Sequence, residues 1–154
     1  MEFLENRYLY YEHLLSYSAR VKASELIDML IFAENNIDAL GLEIVGNTMF
    51  KISEIISDCE GDIYGIEMLV PVDKSFKSEG QCICKPAFKI DNAVSLMFYS
   101  FDSIYEASNQ LYGYARNHNM KPITDIYYVL LQHEKNNNSN NLLEAYIGIS
   151  SNIV

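Results

Sequence analysis

Hydrophobic spacing divides the chain into two copies of one order of elements. The tyrosine-rich stretch RYLYYEHLLSY (7–17) is β-prone. In ASELIDMLIFAENNIDAL (23–40), Leu26, Leu30, Ala33, Ile37 and Leu40 recur at steps of four and three, the spacing of an amphipathic helix. Ser24, Glu25 and Asp28 suit the positive end of that helix, and Gly41 can stop it. NTMFKISEII (47–56) and IYGIEMLVPV (63–72) read as two strands joined by the turn SDCEGD.

The second half repeats the order. KPAFKI (85–90) and AVSLMFYSF (93–101) are β-like. Asp102 or Ser103 then caps a helix with the stripe Ile104, Ala107, Leu111, Ala115 and His118. PITDIYYVLL (122–131) and LLEAYIGIS (142–150) are strands around the polar hairpin loop EKNNNSNN. The pattern predicts an α+β fold, a duplicated βαββ with an antiparallel sheet and both helices on one face. One domain, 1–154, would contain pseudo-repeats at about 1–77 and 78–154.

Two acidic strands mark the repeat. IEMLVPV (66–72) and LEAYIGI (143–149) carry Glu67 and Glu144 in the same slot, half of the 154 residues apart. Alternation puts Ile66, Met68, Val70 and Val72 on one face and Glu67, Leu69 and Pro71 on the other. In the last strand Leu143, Ala145, Ile147 and Ile149 form the apolar face, with Glu144, Tyr146 and Gly148 opposite. The helix stripes should meet the apolar faces, which sends both glutamates to the face away from the helices. Tyrosines around a carboxylate can hold an organic cation, so Glu144, Tyr146, Glu67 and Tyr128 are the candidate ligand-binding residues. A glutamate on a solvated sheet face needing no function is the plainer alternative.

Composition narrows the classes. The net charge of −10 and the absence of clustered Lys and Arg argue against nucleic acid. The acidity serves solubility or the steering of a basic partner. No apolar run reaches the length of a membrane helix, and MEFLENRYLYYEHLL has acidic residues where a signal peptide has basic ones, so a cytoplasmic protein is expected. Cys59, Cys82 and Cys84 form no disulfide framework. His13, His118 and His133 have no ligand spacing, so neither metal nor cofactor is expected. No nucleophile elbow, P-loop, zinc-protease or dinucleotide motif is present, and no catalytic residue is assigned.

With its acidic strands ending EMLVPV and EAYIGI, the repeated βαββ resembles the GyrI-like, or SOUL-type, effector-binding superfamily. Its second copy typically ends in Glu–x–Tyr–Ile–x–Ile/Val, here Glu144 to Ile149. The resemblance implies a pocket for amphiphilic cations in which Glu144 faces the charge. This chain departs from the sensor domains in lacking tryptophan and in having Gly148 where proline is common. EIVGNTMFKI, EMLVPVD and the Asn-rich hairpin look more like GyrI-like proteins encoded beside LXG-type toxins of type VII secretion in Firmicutes. That implies a non-enzymatic accessory that binds a secreted toxin and brings it to the secretion machinery. The edge RYLYYEHLL, through Tyr8, Tyr10, Tyr11 and Leu14, would take the partner, or a second copy in a homodimer.

Overall fold

The computed structural model describes residues 2–132 and 141–150. The hairpin loop expected at 134–141 lies outside them except for Asn141. Among these residues, six strands and two α-helices follow in the order β1 (Glu2–Lys22), α1 (Leu26–Asn35), β2 (Met49–Asp58), β3 (Gly61–Pro71), β4 (Cys82–Tyr99), α2 (Ile104–Asn117), β5 (Lys121–Gln132) and β6 (Leu142–Ser150). The fold is α+β, a duplicated βαββ, and the described pairings within each copy are antiparallel.

The helix stripes are where the spacing puts them. Leu26, Leu30 and Ala33 are buried on α1, which packs on β3. Ile104, Ala107, Leu111 and Ala115 are buried on α2, which packs on β5 and β6. Both stripes end one residue early: Leu40 is 40% exposed, and His118 is an exposed residue past the last turn of α2. Gly41 does end the first helical segment, at φ 71°, where the missing Cβ removes the steric cost. Neither Asp102 nor Ser103 caps through its side chain. The Ser100 hydroxyl accepts from the Asp102 backbone N–H at 3.2 Å, so the turn begins earlier.

The chain forms two compact units, Tyr11–Phe88 and Met1–Tyr10 with Lys89–Val154. Their boundaries differ from those of the sequence repeats, which follow the element order. Each long strand is divided instead: β1 gives its first residues to the second unit, and β4 gives its first residues to the first unit. The two stretches read as separate strands at 85–90 and 93–101 belong to one strand, β4, which runs unbroken through Asp91 and Asn92 to Tyr99. In the unit Tyr11–Phe88 the strand order is β1-β3-β2, and in the other it is β4-β6-β5. Each acidic strand, β3 or β6, is therefore central and meets side chains from two neighbours.

Within the first unit, Leu15, Ile37, Leu42, Val70 and Val72 form a buried cluster against which Tyr17, Phe76 and Cys82 pack. Within the second, Phe3 stacks on Tyr114 of α2 at 4.4 Å between ring centroids, and Tyr114 stacks on His118 at 3.9 Å. The Phe3 stack ties the start of β1 to this unit and brings Arg7 to β6.

Candidate binding site

Glu144 and Tyr146 are two residues apart on β6, so alternation places them on one face. Ser95 lies on β4 directly across from Tyr146, and diagonally from Glu144, which is opposite Met97. Its hydroxyl donates to Glu144 Oε2 at 2.6 Å, and the Tyr146 phenol donates to Glu144 Oε1 at 2.8 Å. Ser95, Glu144 and Tyr146 are 0%, 1% and 4% exposed. A buried carboxylate needs such donors, since desolvation otherwise makes its charge very costly.

The cation comes from β1. Arg7 Nη2 lies 3.1 Å from both Glu144 oxygens and donates to the Tyr146 hydroxyl oxygen at 2.8 Å. Asn6, directly before it, has φ 58°, in the left-handed region that asparagine tolerates better than most residues. One nitrogen makes all three contacts, while Arg7 Nε is buried with no hydrogen-bond partner. Burial works against the guanidinium charge. The hydrogen bond to Tyr146 and the charge of Glu144 outweigh it and raise the Arg7 pKa. Burial, then the hydrogen bond to Glu144, pushes the Tyr146 phenol up to about 12.

Glu67 belongs to the other unit and carries the matching set. Ser16 Oγ donates to Glu67 Oε2 at 2.6 Å, and Lys85 Nζ donates to the same oxygen. Ser16 is opposite Leu69 in the β1–β3 ladder, just as Ser95 is opposite Tyr146. Serine, glutamate and cation each recur half a chain later, to within two residues: Ser16 and Ser95, Glu67 and Glu144, Lys85's counterpart Arg7. Lys51, across from Glu67 on β2, adds a second cation at 4.0 Å, where β5 has Val129 across from Glu144. Burial acts to raise the Glu67 pKa, but the hydrogen bonds of Lys85 and Ser16 and the charges of Lys85 and Lys51 lower it overall. Neither glutamate lies on an open, solvated face.

Tyr128 is not beside Glu144. It lies across from Ala145, on the opposite face of β5 and β6, and meets Phe98 edge-on at 6.3 Å. Tyr127, across from Tyr146, shares the glutamate's face instead. Of the expected edge residues, Tyr8 and Tyr10 are 72% and 51% exposed, Tyr11 is half-buried, and Leu14 is fully buried opposite Pro71. Arg7, Ser95, Ser16 and Lys85 were not singled out from sequence. Comparing Leu14-Leu15-Ser16 with Ala93-Val94-Ser95 at the half-chain offset was the available signal for the serines.

Gly148 explains one departure from the family pattern. Its N–H donates to Thr124 Oγ1 at 2.8 Å, a bond proline cannot make. A Cβ there would lie 2.7 Å from Thr124 Cγ2. Among the described residues no group of three or more His, Cys, Asp or Glu could hold a metal, and the three cysteines are free. Among the described residues no helix is long and apolar enough to cross a membrane.

Solved structures share this fold. The chain is similar to the EcmrR C-terminal domain at 15% identity and TM-score 0.71, covering 97% of this chain and 99% of that one. It spans 57% of the EcmrR chain in its complex with DNA. It is also similar to SAV2435 bound to tetraphenylphosphonium (10% identity, TM-score 0.55, 98% and 95% covered). A hydrolase from Listeria innocua is a further likeness (10%, 0.56, 97% and 91%). No protein-family model and no curated protein matches the sequence. The fold is thus that of the EcmrR C-terminal domain.

Proposed function

We propose that the chain is a non-enzymatic GyrI-like binding protein that takes an organic cation at Glu144. The observation carrying this reading is a carboxylate 1% exposed that already holds a cation, with Tyr146 and Ser95 orienting both oxygens. Such a pre-oriented group loses little freedom on binding. Tetraphenylphosphonium on the similarly folded SAV2435 supports a cationic ligand class.

The test is equilibrium dialysis of a panel of organic cations against wild type and Glu144→Gln, in enough salt to screen the net charge of −10. Saturable binding that disappears in the variant is expected. Equal uptake by both proteins would sink the reading.

A second reading is favoured by a separate observation. In the unit Tyr11–Phe88, Leu15, Tyr17, Phe32, Ala39, Leu40 and Cys82 line an apolar groove of about 260 Å³. Phe32 and Leu40 are 57% and 40% exposed, and 23–47 contains Glu25, Asp28, Glu34, Asp38 and Glu43 but no Lys or Arg. The groove falls below the usual range of about 300–1,000 Å³ for drug-sized ligands. It suits the side chains of a basic amphipathic helix, and we propose such a segment of a secreted toxin as the partner. Co-purification from native cells should recover one toxin stoichiometrically with wild type and lose it with Phe32→Asp. Retention by that variant would remove the groove from the account.

A further inference from the structure

The two glutamates are treated alike. Glu67 receives Lys85, and Glu144 receives Arg7, from the first part of the long strand assigned to its own unit. Each carboxylate also takes a serine hydroxyl from a diagonal position. The same chemistry appears twice: a central-strand carboxylate closed by a hydrogen-bond-donating cation from the chain itself.

The copies differ in how well the cation fits. Arg7 makes its polar contacts to Glu144 and Tyr146 through Nη2 alone, with its guanidinium carbon 5.6 Å from the centre of the Tyr146 ring, and leaves Nε buried without a hydrogen-bond partner. A guanidinium meets a carboxylate best with two parallel N–H donors, one to each oxygen. Arg7 does not form that fork, so the tether is an imperfect occupant. Its side chain is 38% exposed while the carboxylate is 1% exposed. The carboxylate is the built part of the site, and the cation reaches it from the solvent side.

We propose that Arg7 is a tethered stand-in for the ligand, and that the Glu144 site is selective for guanidinium cations. This rests on the cation-binding reading and names its ligand class. A free guanidinium can fork onto both Glu144 oxygens while donating a further N–H to the Tyr146 hydroxyl, as Arg7 does now. A phosphonium or quaternary ammonium has no N–H to donate and leaves that oxygen unpaired, which is costly in a buried site. A primary ammonium has donors but not the planar fork.

The full-length Arg7→Ala variant tests this with methylguanidinium chloride as the probe. Tetramethylammonium, methylammonium and tetraphenylphosphonium serve as comparators at equal ionic strength. Millimolar methylguanidinium should raise the Tm of Arg7→Ala saturably, by several degrees, with a smaller rise for wild type and none for Arg7→Ala/Glu144→Gln. Binding of tetraphenylphosphonium that depends on Glu144, without a response to methylguanidinium, would leave the cation site standing and overturn its guanidinium selectivity. A response to neither cation would overturn both. If Arg7→Ala does not fold, Arg7→Gln, which keeps part of the stem and an N–H donor, replaces it in the same titration. The same three outcomes then decide.

Discussion

Replacing Arg7 by methionine keeps most of the stem and removes the cation from a carboxylate that is 1% exposed. Stripping one partner from a fully buried ion pair costs about 3–5 kcal/mol. Two features lower that figure here. Arg7 is 38% exposed, so solvent screens part of the pair, and Glu144 keeps the donors Ser95 and Tyr146. The expected loss is about 2 kcal/mol. For a chain of this size it lowers Tm by roughly 4–8 °C. Urea unfolding followed by far-UV circular dichroism measures it, and a cycle with Glu144→Gln isolates the pair. The double variant should lose less than the sum of the single ones, with a coupling on the order of 1–2 kcal/mol. Additive losses, or an Arg7→Met variant within about 0.5 kcal/mol of wild type, would refute the claim that the buried carboxylate depends on this cation.

Three other outcomes are expected. Because the folded chain holds the Tyr146 proton up to about 12 against an ordinary 10.0, stability should fall as pH rises across that window. The amount is on the order of 2–3 kcal/mol; Tyr146→Phe should lack this component in unfolding curves run at stepped alkaline pH. The lowered Glu67 pKa works at the other end. Its stabilisation is present above the unfolded value and is lost as pH falls through the folded one, so Glu67→Gln should flatten the acid limb of stability against pH. Gly148→Ala should cost about 1–3 kcal/mol by overpacking. Thr124→Ser, which removes the methyl 2.7 Å from the new Cβ and keeps the acceptor hydroxyl, should restore part of that loss; no restoration in thermal melts would contradict the contact.

Periodicity carried the helices because Leu26, Leu30 and Ala33, and Ile104 to Ala115, meet a single apolar face, and such stripes are read locally. Alternation likewise placed Glu67 with Leu69 and Glu144 with Tyr146. It could not place Tyr128, whose face is set by its pairing with Ala145 on another strand, a register that periodicity within one strand does not fix. The unit boundary was hidden for a related reason. A strand of 21 residues changes unit at Tyr10 without any break in its β pattern. Glu144's counter-ion escaped notice because Arg7 is 137 residues away; local spacing has no term for such a partner. The repeated serine was within reach, since it sits in the same apolar–apolar–Ser context in both copies.

The division of β1 has a consequence for synthesis on the ribosome. Residues Tyr11–Phe88 form a compact unit that can begin to close while the rest of the chain is still being made. The residues ahead of it, Arg7 among them, have their carboxylate partner 137 residues downstream. At roughly 5–20 residues per second, that partner arrives some 7–27 s later. For that interval the start of β1, with Phe3, Leu4, Tyr8, Leu9 and Tyr10, has been made but waits without the rest of its own unit, and finds its place long after its synthesis.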